Sequence, residues 1–211
     1  MLLTSVVGEV VLAATGRSDQ SFDDLPLTYV ALLQVPQWAA TLGITWWAVQ
    51  RKGNGLVHDL GLRVVRRDVP VGLAIGAATQ VLLVPLLYLP ILRLLDRTTD
   101  DVAEEARQLT DRATGLGVLL LILVVVLAAP VVEEIFYRGL LLRSLERRFG
   151  DGWALLISSV VFGAAHLQAL QLPALVLFGL VAASMAQRSG RLGPSIFAHI
   201  AFNAVTVALL L

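Results

Sequence analysis

Residues 116–142 read LGVLLLILVVVLAAPVVEEIFYRGLLL. About 20 apolar residues cross a hydrocarbon core of roughly 30 Å, so this run is long enough to span a bilayer. Two adjacent acids, Glu133 and Glu134, sit inside it, followed by Arg138. A charge at that depth costs about 2.5–3.5 kcal/mol on insertion scales, and intramembrane ionisable groups are by default functional.

The rest of the chain has the same character. Hydrophobic residues make up 57% of the 211 residues, charged residues 15%, and mean hydropathy is +0.78. Soluble domains carry nearer 45–50% apolar and about 25% charged residues. The expected fold is all-α, a polytopic transmembrane bundle of about six to seven helices. Six spans are expected at about 27–50, 69–92, 116–142, 153–169, 173–187 and 194–211. A seventh, Met1–Thr15, is short and carries Glu9; without a basic leader or a small-residue cleavage pattern it does not read as a signal peptide. Short loops join the spans into one membrane domain, 1–211, with N-terminal helices over 1–115 and a polar core over 116–211.

Arginines fall in alternate loops: Arg51, Arg63, Arg66 and Arg67 with Lys52, then Arg143, Arg147 and Arg148, then Arg188 and Arg191. These should face the cytoplasm. The opposite loops hold Asp19, Asp23 and Asp24, a mixed stretch rich in Asp and Glu over 96–112, and an uncharged turn at 168–171. Trp46, Trp47 and Trp153 stand where interfacial anchors belong. A multi-pass protein of a cell membrane follows, and the arginine-rich, lysine-poor usage suits a bacterial cytoplasmic membrane. The zero net charge offers nothing to nucleic acid, and the absence of cysteine excludes disulfides, thiolate metal sites and a cysteine nucleophile.

Two later spans supply polar partners: His166 in one, His199 and Asn203 in the other. Helical spacing puts Glu134 with Arg138, Phe162 with His166, and His199 with Asn203 on shared faces. At 1.5 Å per residue Glu133 lies roughly 13 Å from Leu142, His166 roughly 20 Å from Trp153 and His199 roughly 8 Å from Pro194, so one cytoplasm-facing cavity can hold them. Pro130 removes a backbone donor one turn before the acids, a local cause for a cavity. Each residue also has a plain reading. Glu134 and Arg138 can form a self-neutralising pair with Arg138 snorkelling outward, and a lone His or Asn is often a helix-to-helix hydrogen bond.

Together the set suits water-mediated amide hydrolysis. A carboxylate in a low-dielectric site is a useful base near neutral pH. Glu133 would activate a water, His166 would share it or carry a proton to the leaving amine, and His199 with Asn203 would meet the oxyanion. No GxSxG elbow is present, and Ser158, Ser159 and Ser184 have no evident base. A Zn²⁺ ion held by Glu133, Glu134, His166 and His199 is the alternative within hydrolysis. HExxH is absent, and a cofactor-free glutamate mechanism is favoured.

The run Glu133-Glu134-Ile-Phe-Tyr-Arg138-Gly139 resembles the EExxxR motif of the CPBP family, the CAAX proteases and bacteriocin-processing enzymes also known as the Abi family, often labelled intramembrane metalloproteases. Phe162-Gly-Ala-Ala-His166 resembles its FxxxH motif, and His199-Ile-Ala-Phe-Asn203 its HxxxN motif. Leu60-Gly61-Leu62-Arg63 weakly resembles the family's cytoplasmic lead-in. The resemblance implies a membrane-embedded helical endopeptidase acting on a peptide or protein substrate at the bilayer. Glu133 would be the water-activating residue, His166 its partner, and His199 with Asn203 the oxyanion site, with Glu134, Arg138 and Phe162 in support. Two other classes remain open. One is a non-catalytic bacteriocin-immunity or scaffold protein that uses the same cluster to bind a partner. The other is a proton-coupled transporter, against which the short last spans and the absence of inverted repeats count.

Overall fold

The computed structural model describes Gly16 and residues 27–211, apart from the side chains of Lys52 and Glu105. The expected span Met1–Thr15 and the acids Asp19, Asp23 and Asp24 lie outside the described residues. Within them the chain is helical, with no strand: α1 Leu27–Lys52, α2 Leu56–Leu60, α3 Asp68–Leu95, α4 Thr99–Asp111, α5 Leu116–Phe149, α6 Asp151–Ala164, α7 Leu172–Ser189 and α8 Gly193–Leu210. The all-α, multi-pass reading holds.

Each of the six expected spans is a helix, but only α3, α5, α7 and α8 are both long and apolar enough to cross a membrane. The other two fall short for different reasons. α1 has 26 residues but is interrupted by polar side chains, among them Gln34, Gln37 and Thr41. α6 has 14 residues and ends at Ala164, not at 169. That is about 21 Å of helix against a core of roughly 30 Å.

α5 also differs from the expected 116–142, running on to Phe149 and carrying Arg143, Arg147 and Arg148 as its last turns. Glu133 stands sixteen residues before that end (133 to 149), about 24 Å along the helix axis. Wide π-helical turns interrupt α3 at Thr79–Leu83 and α5 at Ile122–Ala128 and Ile135–Leu141. The first two are followed by Pro85 and Pro130. A proline ring clashes with the carbonyl four residues back and donates nothing to it, and widening the turn relieves the clash.

α8 is the central helix, packed on α3, α5 and α7. Its contact with α3 is set by Gly72 and Gly76, where the backbones nearly touch. A Cβ on Gly76 would collide with the Ala198 carbonyl, and one on Gly72 with Pro194 and Phe197. Small residues at such crossings let membrane helices gain close packing that apolar burial does not drive in lipid.

The three basic loops meet at one end of the bundle. Leu192 N–H donates to Gly61 O at 2.8 Å, Gly193 N–H to Arg63 O at 3.2 Å, and Arg143 Nη2 to Gly190 O at 3.0 Å. Asp68, 1% exposed, receives Arg191 through both carboxylate oxygens at 2.6–3.1 Å. At the opposite end α4 begins with a capping box in which Asp101 N–H reaches the Thr98 hydroxyl and Thr98 N–H reaches the Asp101 carboxylate. Those Thr98 bonds hold the Asp101 carboxyl below its usual range. α4 lies over the α6–α7 turn: Gln171 Nε2 donates to Val102 O at 3.0 Å, and Tyr88 on α3 donates its hydroxyl to Leu170 O at 2.5 Å.

The α3–α8 contact yields a paired expectation. Gly76→Ala should destabilise the detergent-solubilised protein by about 1–3 kcal/mol, the usual cost of overpacking. Gly43→Ala, on α1 with open space around it, should leave stability unchanged or slightly raised. Thermal unfolding of the two variants side by side checks this, and equal melting temperatures would contradict the close crossing.

Candidate functional site

The two adjacent acids on α5 have opposite surroundings, because neighbours on a helix point about 100° apart. Glu134 is fully buried. Its Oε1 accepts from Arg138 Nη1 at 2.8 Å and from His199 Nδ1 at 2.9 Å. A carboxylate paired with Arg138 has no proton to give, so His199 Nδ1 is the donor and Nε2 is left to the other side. Nε2 faces Glu133 Oε2 at 3.8 Å, and the Glu133 side chain is 25% exposed. His199 thus stands between a buried acid and an accessible one.

Arg138 does not snorkel. It is 1% exposed, with its guanidinium 4.3 Å above the Phe162 ring and 5.8 Å from Phe178. A planar, weakly hydrated guanidinium can be held this way by one carboxylate and aromatic faces. Phe162, itself fully buried, is the hub of the site. Its ring meets His166 at 4.9 Å, Tyr137 at 5.2 Å and His199 at 5.7 Å between centroids.

Phe162 and His166 do meet as their spacing requires, edge to face, although His166 lies just past the end of α6. It belongs to the turn that returns the chain to α7, where Leu167 takes a left-handed φ of 59°. A bulky side chain seldom adopts that conformation, and surrounding structure must hold it there. His166 Nδ1 donates to Phe162 O at 2.8 Å, which leaves Nε2 of the neutral ring as an acceptor.

Glu133 and His166 line one cavity of about 120 Å³ between α1, α5 and this turn. Its opposite wall carries Gln34, Gln37, Trp38 and Thr41 of α1. The sequence reading passed these four over. Their signal was present, since positions 34, 37, 38 and 41 follow the i, i+3, i+4, i+7 spacing of one helix face. Phe178, against both Arg138 and His199, was also missed, being one more aromatic in an apolar helix.

Asn203 lies elsewhere, with Nδ2 donating to Val125 O at 2.8 Å. The bond has a clear cause. In the wide turn the Ala129 N–H reaches back to Val124 O, and the next residue, Pro130, has no N–H. Val125 O is left without its usual main-chain donor, and the Asn203 amide supplies one. His199 and Asn203, one turn apart on α8, therefore both fasten α8 to α5.

The Zn²⁺ alternative does not fit this arrangement. Among the described residues no three His, Asp or Glu side chains form a group that could hold a metal ion. Each histidine keeps Nε2 free, but Glu134 Oε1 is taken by Arg138 and His199 Nδ1, so Glu133, Glu134, His166 and His199 do not form one ligand set.

Fold and site together define a multi-pass helical membrane protein built around a buried acid–histidine–arginine cluster. Residues 115–205, which hold all three motifs, match the family model "Type II CAAX prenyl endopeptidase Rce1-like". That stretch is similar to the Rce1-like family, in agreement with the resemblance read from its motifs. The chain is also similar to "Putative membrane peptidase YdiL" of Bacillus subtilis strain 168, with 33% identity over 91 residues. The alignment covers 43% of this chain and 37% of that relative. No solved structure matches the chain.

The Asn203 bond makes a coupled expectation. Asn203→Leu, of similar size, should cost about 0.6–1.7 kcal/mol, the range of hydrogen bonds between membrane helices. In a Pro130→Ala background, where an N–H returns five residues after Val125, the same change should cost almost nothing. A double-mutant stability cycle measures the difference; equal losses in both backgrounds would detach Asn203 from the proline.

Proposed function

We propose that the protein is an intramembrane endopeptidase that hydrolyses a peptide bond with a water activated by Glu133. One observation carries the reading: of two adjacent acids, the accessible one shares a cavity with His166, while the buried one is committed to Arg138 and His199. The Rce1-like match over 115–205 supports it, as does the peptidase name of the bacterial relative.

Glu133 is the base in this reading. It takes a proton from a water in the cavity as the oxygen attacks the substrate carbonyl, and returns that proton to the amine as the tetrahedral intermediate collapses. His166, with Nδ1 held by Phe162 O, offers Nε2 to the same water and fixes its direction. His199, when protonated, can donate from Nε2 to the oxyanion beside Glu133. Glu134 and Arg138 set the position of that ring. Asn203 enters as a positioning residue that holds α8 against the wide turn of α5, in place of the oxyanion role expected for it. The basic end of the bundle faces the cytoplasm by the positive-inside rule, and the substrate is a peptide that reaches the membrane. No step passes through a metal.

Glu133→Gln keeps the shape and removes the base. Cleavage of a fluorogenic peptide library by the purified protein in lipid should fall by at least about a hundredfold, the lower end of what a general base contributes. His166→Ala should also lose activity, and the wild type should keep it under a zinc chelator. Full cleavage by Glu133→Gln would remove Glu133 as the base, and loss under chelator restored by Zn²⁺ would make the acids and histidines metal ligands.

A further inference from the structure

The polar face of α1 has no part in the reading above. α1 lies outside the Rce1-like stretch, 115–205. Part of its apolar surface points outward, with Leu32, Val35 and Leu42 exposed at 64%, 54% and 37%, while Leu33 and Val49 are buried. Gln34, Gln37, Trp38 and Thr41 are half-buried and turned toward Glu133 and His166. These polar side chains of α1 are thus gathered on the one face that borders the cavity of Glu133 and His166, within reach of whatever enters it.

We infer that Gln34 and Gln37 form the substrate-binding wall of this cavity and hold the main chain of the peptide across from Glu133. The inference rests on the proposed peptidase reading and names which groups receive the substrate. A primary amide offers an N–H donor and a carbonyl acceptor, the same two groups that a peptide unit presents. A peptide entering a membrane loses water at both and must find replacements. Neither glutamine titrates, so a proton relay is not what this face provides. Thr41 keeps the wall in shape by donating its hydroxyl to Gln37 O at 2.8 Å, and Pro36 lies between the two amides. Trp38 supplies the flat apolar side on which a substrate side chain can rest.

The bland alternative is that the glutamines bind α1 to the bundle and never meet substrate. The two differ in what a change on the substrate does. Full-length protein in lipid nanodiscs would be tested with a fluorescent peptide that binds wild type, and with analogues in which single peptide bonds near the cleavage point are replaced by esters, removing one N–H each. Gln34→Leu and Gln37→Leu suit a bilayer and should stay folded, which thermal unfolding checks. Each should raise KM about three- to tenfold, the range one net hydrogen bond supplies, with kcat changed much less. One ester analogue should lose the same factor against wild type and nothing further against the matching Leu variant.

The same binding series on the Glu133→Gln background, read as Kd, separates the two claims. Wild-type cleavage with unchanged KM and Kd in both Leu variants would overturn the inference and leave the peptidase reading standing. Weakened binding in the Leu variants, with cleavage surviving Glu133→Gln, would uphold the inference and remove Glu133 as the base. Penalties from the esters that are equal in wild type and both variants would assign the glutamines to helix packing, as would failure of the wild type to bind any peptide.

Discussion

The interior of this protein is organised around one oxygen atom, Oε1 of Glu134. It accepts from Arg138 on its own helix and from His199 on α8, and neither Glu134 nor Arg138 is open to solvent. Taking such charges out of water costs several kcal/mol per ion, and mutual attraction offsets that only when geometry is good and the remaining donors are satisfied. Here the guanidinium is held by aromatic faces and by Gly179 O at 3.5 Å from Nη2, while Oε2 of Glu134 accepts no hydrogen bond among the described residues. Phe162 and Phe178, from α6 and α7, lie under the guanidinium and beside the His199 ring. Four helices are thereby tied to one ion pair. Loss of either charge would leave the other uncompensated in the core, which is far more damaging than never having had the pair.

A second constraint shapes the space around that pair. α6 is too short to cross, so the chain turns back at the depth of Glu133 and presents His166 there. The turn is irregular backbone at membrane depth, tolerable only where protein covers it. Gln171 and Tyr88 hold it to α4 and α3 from the far side. The wide turn before Pro130 opens α5 just upstream, and Asn203 closes the hydrogen-bond deficit it leaves. The cavity thus owes its His166 side to the shortness of α6.

Much of this was legible in residue order. The hydropathy of 116–142 and the count of apolar runs were enough for an all-helical membrane fold, and the three short motifs pointed to Glu133, His166 and His199. Which of two adjacent glutamates is buried was not legible, because a helix turns them 100° apart and only the packing of α8 decides which one His199 Nδ1 binds. The end of α6 at Ala164 was hidden for a related reason. His166 and Leu167 continue an apolar pattern, and nothing local stops the helix there, so the stop is imposed by tertiary packing. Gly72 and Gly76 stood four apart in plain view, but only the crossing with Ala198 gives them meaning. The α1 stripe was a different kind of miss. Uncharged amides raise no alarm in a search for ionisable groups, although their spacing is as regular as that of the motifs.

Asn203 shows how far a motif can be carried. The spacing of His199 and Asn203 puts both on one face of α8, and both do face α5, but they reach it nine residues apart, at Glu134 and at Val125. Antiparallel helices require this: one turn along α8 moves the contact toward the start of α5. A residue on the same face as His199 therefore need not share its chemistry. It can serve the site by fixing the angle at which the histidine arrives, and a carbonyl that proline leaves without a donor gives Asn203 a reason to be an amide that does not depend on the oxyanion at all.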